Sequence, residues 1–178
     1  ATGTHPSLPS ISGLEHVDYL TNETLFSLRD LPERLAIIGA GPAGCELAQA
    51  FTLFGSHVTL LESASTILPK EDEDASGLVD SSLSRDGVTI LPGSIITQIG
   101  KEGPDTVLKI VNRRNPTFLR VDKVVIAVGR TPNVDGLNLG TVGVDFDQNT
   151  GVVVDDRLRT SNRRIFAAGD ICGHAQFT

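Results

Sequence analysis

The apolar positions change period at short range along the chain, and the changes mark its elements. Residues 35–38 form a continuous apolar run that predicts a strand, and Leu47, Ala50, Phe51 and Phe54 then recur at helical spacing. Gly55 ends that helix, and residues 57–61 alternate into a second strand. A second helix is predicted through Leu78, Val79 and Leu83, opening on the acidic residues 71–74 and stopping near Gly87. Strands then follow one another without a helix: 88–91, 95–99 after Pro92-Gly93, 107–111 after the 100–105 loop, and residues around Phe118 and Val121. The run 124–128 is wholly apolar, as a central parallel strand must be. The expected fold class is therefore α/β: a Rossmann-like β-α-β unit with a parallel sheet and an inserted antiparallel β-meander. On either side the pattern weakens. Residues 1–34 read as a connector, with Thr21 or Asn22 able to cap one short helix carrying Leu25, Phe26 and Leu28. From Gly136 onward turn residues separate the short runs 152–154 and 164–168, the latter a final strand before Gly169-Asp170.

Between the first strand and the first helix stand Gly39, Ala40, Gly41, Pro42, Ala43 and Gly44, a G-x-G-x-x-G spacing. Such glycines serve a tight turn, close approach to a pyrophosphate, and close helix–strand packing respectively. The free N–H groups and the dipole of the helix start can hold a diphosphate without a basic side chain, and none is present there. Glu62 ends the second strand about twenty residues later, where a ribose would lie. Its carboxylate would accept from both ribose hydroxyls and repel a 2′-phosphate, and Ser63 and Ala64 supply no cation, so NAD is favoured over NADP.

Charge and composition narrow the partners. With a net charge of −7 and scattered Lys and Arg, nucleic acid and anionic membranes are not the expected partners. No apolar window is long enough to span a membrane, and the first thirty residues carry no leader pattern. The two cysteines, Cys45 and Cys172, form neither a disulfide framework nor a Cys-x-x-Cys pair, as is usual in a reducing compartment; a cytoplasmic location is expected. Cys45 lies in a helix's first turn, where a thiol pKa can fall, but a small buried filler is the preferred reading. The acidic residues 71–74 read as a helix start rather than a metal site. Gly129, after the central strand, either approaches a dinucleotide or is a plain strand exit, and Asp170 is either a ribityl or ribose ligand or a turn aspartate. The chain has no methionine, even at position 1, which suggests a piece of something longer.

Four phrases in order resemble the pyridine nucleotide-disulfide oxidoreductase family, the flavoproteins that include lipoamide dehydrogenase, glutathione reductase and mercuric reductase. Ala1-Thr2-Gly3-Thr4 with the following Pro-x-x-Pro-x-Ile-x-Gly is similar to the end of that family's first flavin-binding segment. Residues 39–46 resemble its second dinucleotide fingerprint, 124–133 its A-x-G-R-x-P-N phrase, and 160–170 its T-x-x-x-x-I-F-A-x-G-D phrase. G-A-G-P-A-G is equally typical of a flavin unit, but the preceding A-T-G phrase and the following Glu46 point to the nicotinamide fingerprint. The resemblance implies three segments: 1–32 as the end of a flavin-domain segment with its connector, 33–145 as the NAD(H)-binding domain, and 146–178 as the return towards the flavin domain.

By the same resemblance, Gly39, Ala40, Gly41, Pro42, Ala43, Gly44, Cys45 and Glu46 would line the pyrophosphate and nicotinamide of NADH, Glu62 the adenosine ribose, Ile95 the adenine side and Gly129 the nicotinamide half. Thr2, Gly3, Thr4, Asp170, Gln176, Phe177 and Thr178 match positions that touch FAD. The family's first fingerprint, its Cys-x-x-x-x-Cys pair and its C-terminal dimerisation domain with the His-Glu pair have no counterpart in these residues. The implied function is the NADH-binding part of an FAD-dependent enzyme that is a homodimer, with the fragment inactive by itself. Glu62 leans towards the NAD-using lipoamide dehydrogenase branch, and Gln176-Phe177-Thr178 towards mercuric-reductase-like members. A free-standing NAD-sensing module and a ferredoxin-reductase or NADH-oxidase type flavoprotein are the alternatives.

Overall fold

A computed structural model describes residues 1–112 and 114–173. In chain order the strands and helices are β1 (Thr4–Pro6), β2 (Tyr19–Leu20), β3 (Arg34–Ile38), α1 (Pro42–Phe54), β4 (His57–Leu61), α2 (Glu73–Asp86), β5 (Thr89–Leu91), β6 (Ser94–Glu102), β7 (Asp105–Asn112), β8 (Asn115–Val121), β9 (Lys123–Ile126), β10 (Arg130–Pro132), β11 (Phe146–Asp147) and β12 (Gly151–Val152). They fall into two compact units, one spanning Leu8–Val128 and one formed by Ala1–Ser7 with the residues from Gly129 onward.

In the Leu8–Val128 unit, β3 and β9 are wholly apolar after their first residues, Arg34 and Lys123, because both faces of the sheet are covered, while β4 carries His57 and Thr59 among apolar positions. The sheet has the order β2-β9-β3-β4-β5 and all its pairings are parallel. Successive side chains leave on opposite faces. Leu35, Ile37, Val58, Leu60 and Val125 pack with Cys45 and Ala48 of α1 and Leu83 of α2. Ala36, Ile38, Leu61, Val124 and Ile126 pack instead with Ile99, Leu108, Ile110 and Val121, which belong to the antiparallel sheet β6-β7-β8. The unit is thus layered helices, parallel sheet and meander, as the strand-after-strand pattern predicts. Arg34 ties two layers together: its guanidinium donates to Asp105 (2.8 Å) and Asp122 (2.5 Å), and its backbone N–H to the second Asp122 oxygen (2.7 Å).

Four local expectations are corrected. The connector contributes β2, an edge strand on β9, and only single 3-10 turns at Leu14–His16 and Leu25–Ser27; one buried residue, Leu25, cannot hold a longer helix, and Phe26 is 83% exposed. The buried face of α1 runs through Gly44, Cys45 and Ala48, with Leu47 and Phe51 beside it, whereas Phe54 is 69% exposed. Small residues face the sheet because the glycine turn brings the helix close to it. β9 stops at Ile126, two residues before its apolar run ends. Residues 164–168 form no strand; Phe166 makes only an isolated bridge to Arg159 and is exposed.

In the second unit β1 pairs antiparallel with β10, Thr4 opposite Pro132 and Pro6 opposite Arg130. Val134, Val144, Val152, Ala167, Ile171 and Cys172 form its core.

Candidate dinucleotide site

β3 runs directly into the glycine turn, whose three glycines differ in what surrounds them. Gly39 has φ +102°, and a Cβ there would lie 2.5 Å from the Ala127 carbonyl oxygen. Gly44 sits so close beneath the turn that a Cβ would run into the Gly39 carbonyl. Gly41 is different: its backbone is extended, and nothing lies within 4 Å of where its Cβ would be. The turn is sealed on the protein side and open at Gly41.

Gly41 is also the N-cap of α1 and offers no side-chain cap, while Pro42 at the first helical position removes one donor. The N–H groups of the first turn therefore point outward with no partner from within the helix. Pro42 and Glu46 are exposed, and Ala40 is buried. Cys45 is buried, with its thiol donating to the Ala40 carbonyl (3.5 Å). Burial, with the Glu62 carboxylate as a smaller contribution, pushes its pKa up to about 11. The filler reading of Cys45 therefore holds, and the thiol is not activated.

Glu62 lies at the end of β4, half-buried, and is fastened to the turn. The Ala40 N–H donates to Oε2 (2.8 Å), and the Ala64 N–H (2.9 Å) and Ser63 hydroxyl (3.1 Å) donate to Oε1. Its main chain is held as well, donating to the Leu91 carbonyl and accepting from the Ser94 N–H (2.8 Å). Ile95, next in the chain, is 60% exposed at the start of β6. Tertiary structure thus brings residues 39–46, Glu62 and Ile95 to one end of the parallel sheet.

Residues 63–72 contribute a part that sequence reading missed. The Leu68 N–H donates to the Ala40 carbonyl (2.8 Å), Ile67 is buried, and the Ser76 hydroxyl donates to the Ile67 carbonyl. The loop is pinned at the fingerprint, and the signal was the apolar pair Ile67-Leu68 inside an otherwise polar turn.

In the other unit, Thr4 and Asp170 meet, the Thr4 hydroxyl donating to Oδ2 of Asp170 (3.2 Å). Arg130 donates through Nε to the Thr4 hydroxyl oxygen (2.5 Å) and through Nη2 to the Thr4 carbonyl (3.0 Å). Thr2 exchanges hydrogen bonds with Asn133, whose side-chain amide donates to the Thr2 carbonyl (2.9 Å) and whose backbone N–H donates to Gly3 (2.9 Å). Arg130 and Asn133 of the A-x-G-R-x-P-N phrase thus hold the A-T-G-T phrase, a role that spacing alone did not reveal. Gly129 is exposed, with φ +127°, and accepts from the Ser7 N–H (3.0 Å). Gln176, Phe177 and Thr178 lie outside the described residues.

Among known protein families, the pyridine nucleotide-disulphide oxidoreductases match over residues 1–178. The chain belongs to this family. It is 37% identical over 177 residues to a mercuric reductase from Lysinibacillus sphaericus, covering 99% of this chain and 32% of that protein. It is 34% identical to a dihydrolipoyl dehydrogenase from Bacillus subtilis (strain 168), covering 99% of this chain and 38% of the relative. Among solved structures, the HOCl-induced flavoprotein disulfide reductase RclA from Escherichia coli superposes with a TM-score of 0.90 at 33% identity, over 99% of this chain and 40% of that one. The chain spans about a third of the length of the curated relatives it matches. Among the described residues no helix is long and apolar enough to cross a membrane.

Proposed function

We propose that this chain is the NAD(H)-binding part of an FAD-dependent pyridine nucleotide-disulfide oxidoreductase, and that it presents NADH for hydride transfer to flavin. The observation that carries this reading is the Glu62 carboxylate, held at the end of β4 by the Ala40 N–H of the glycine turn. The diphosphate fits before Gly41, where no atom stands within 4 Å of a Cβ position and the first-turn N–H groups are uncapped. From there the adenosine ribose reaches Glu62, and the adenine lies toward Ile95. Glu46 is assigned to the nicotinamide half, and the family resemblance separately proposes Gly129 as a nicotinamide-side residue of its own unit. A carboxylate followed by Ser63 and Ala64, neither of them a cation, supports NADH over NADPH.

Thr2, Gly3, Thr4 and Asp170 are proposed as a partial flavin edge, with Asp170 oriented through Thr4; Gln176, Phe177 and Thr178 are proposed to touch FAD on the family resemblance alone. When bound, FAD supplies acceptance of a hydride and onward transfer of the electron pair; this chain contributes binding and orientation. The proposed segmentation remains 1–32, 33–145 and 146–178, and the whole enzyme is proposed to be a cytoplasmic homodimer, with two free buried cysteines fitting a reducing compartment.

Calorimetric titration of the purified chain with NADH and NADPH, with an absorbance scan for flavin, tests the proposal. NADH binding, little NADPH binding and no flavin absorbance are expected. Glu62→Ala should weaken NADH by about 1–3 kcal/mol, the scale of leaving polar groups poorly paired, and narrow the gap to NADPH. An unchanged preference would remove Glu62 from the ribose site, and tight flavin at the fingerprint would reassign the dinucleotide.

A further inference from the structure

The acceptor positions on Glu62 are nearly all taken. A carboxylate offers about four lone-pair positions, two on each oxygen. Oε1 receives both the Ala64 N–H (2.9 Å) and the Ser63 hydroxyl (3.1 Å), whereas Oε2 receives only the Ala40 N–H (2.8 Å). A ribose whose two hydroxyls both donate to this carboxylate needs one free position on each oxygen. Oε2 has one; Oε1 has none.

Of the three donors, two are backbone N–H groups fixed by the glycine turn and the loop after β4. The third is an exposed side chain on one rotatable bond, able to turn without disturbing packing. Resting on the reading that Glu62 binds the adenosine ribose, we propose that Ser63 is a specificity-determining residue: its hydroxyl fills the last acceptor position on Glu62 in the free protein, and the ribose takes that position by displacing it. A tethered hydroxyl returns to the carboxylate at high effective concentration, so it competes with the ligand more strongly than a water would. Ser63 thus sets how much affinity the second ribose hydroxyl adds.

Ser63→Ala is titrated with NADH and with the analogue lacking the 2′-hydroxyl of the adenosine ribose, beside the unmodified chain and Ser63→Thr. Ser63→Ala should bind NADH about two- to tenfold more tightly, the worth of one hydrogen bond. Its affinity for the deoxy analogue should change much less, so the ratio between the two ligands widens. A merely altered loop would move both ligands together. Ser63→Thr, which keeps the hydroxyl, should behave as the unmodified chain. Unchanged or weaker NADH binding by Ser63→Ala, with the unmodified chain still preferring NADH to the analogue, would overturn the role of Ser63 alone. Equal binding of the two ligands by the unmodified chain would overturn the Glu62 reading beneath it.

Discussion

Gly39, Gly41 and Gly44 occupy three different backbone situations, and a methyl group would act differently at each. At Gly44 it would meet the Gly39 carbonyl, a backbone atom that cannot swing aside. Gly44→Ala should therefore cost about 1–3 kcal/mol of stability, as overpacking does, with the helix start pushed off the turn. Urea denaturation checks the first consequence and NADH titration the second. At Gly41 a methyl would meet nothing within 4 Å, so Gly41→Ala should leave the denaturation midpoint nearly unchanged while weakening NADH. Equal loss of stability at both positions would argue against an open ligand face at Gly41. Spacing assigned the tight turn, the ligand approach and the helix packing to Gly39, Gly41 and Gly44 in that order, and the crowding at Gly39 and Gly44 beside open space at Gly41 agrees with it.

At the scale of elements, α1 shows how tertiary packing overrides an apparent apolar stripe. Phe54 fits the helical period yet is exposed, and Ala48, too small to weigh in a hydrophobic pattern, is fully buried against the sheet. Phe54→Ser should change stability by no more than about 0.5 kcal/mol, while Ala48→Leu should cost about 1–3 kcal/mol, both by thermal unfolding. A second element-scale feature is the tie from Arg34 at the start of β3 to Asp105 of β7 and Asp122 beside β9. The Arg34 guanidinium holds the Asp122 carboxyl below the usual carboxylate range. A carboxylate depressed in the folded state contributes stability that is present above its unfolded pKa of about 3.9 and is lost as pH falls through the folded value. The unmodified chain should thus lose stability below about pH 4 more steeply than Asp122→Asn, as denaturation curves at several pH values would show. Parallel slopes would mean that the tie carries no pH-dependent stability.

For the molecule as a whole, the chain is a member of an oxidoreductase family but spans about a third of its curated relatives. Its two cysteines, Cys45 and Cys172, are both free and buried. The expected outcome is NADH binding without turnover: no dithiol- or metal-dependent NADH oxidation at 340 nm by this chain alone. Steady oxidation would overturn the division of labour proposed above.

The β-α-β unit, the parallel sheet with its meander and the family could be read from residues 35–62, 88–128 and four short phrases, because strand and helix periods and glycine spacing are local properties of the chain. Glu62 was legible for the same reason, as an acid at the end of a strand at a fixed distance from the glycines. What only the tertiary structure decided are the relations between segments distant in sequence. Residues 19–20 became an edge strand through pairing with β9, more than a hundred residues away. Arg130 and Asn133 were paired with residues 2–4, and Ile67-Leu68 with the glycine turn. Occupancy of Oε2 of Glu62 by the Ala40 N–H depends on where β4 ends relative to β3. No spacing rule records these relations, because hydrogen-bond partners are chosen by proximity in the folded chain and not by order along it.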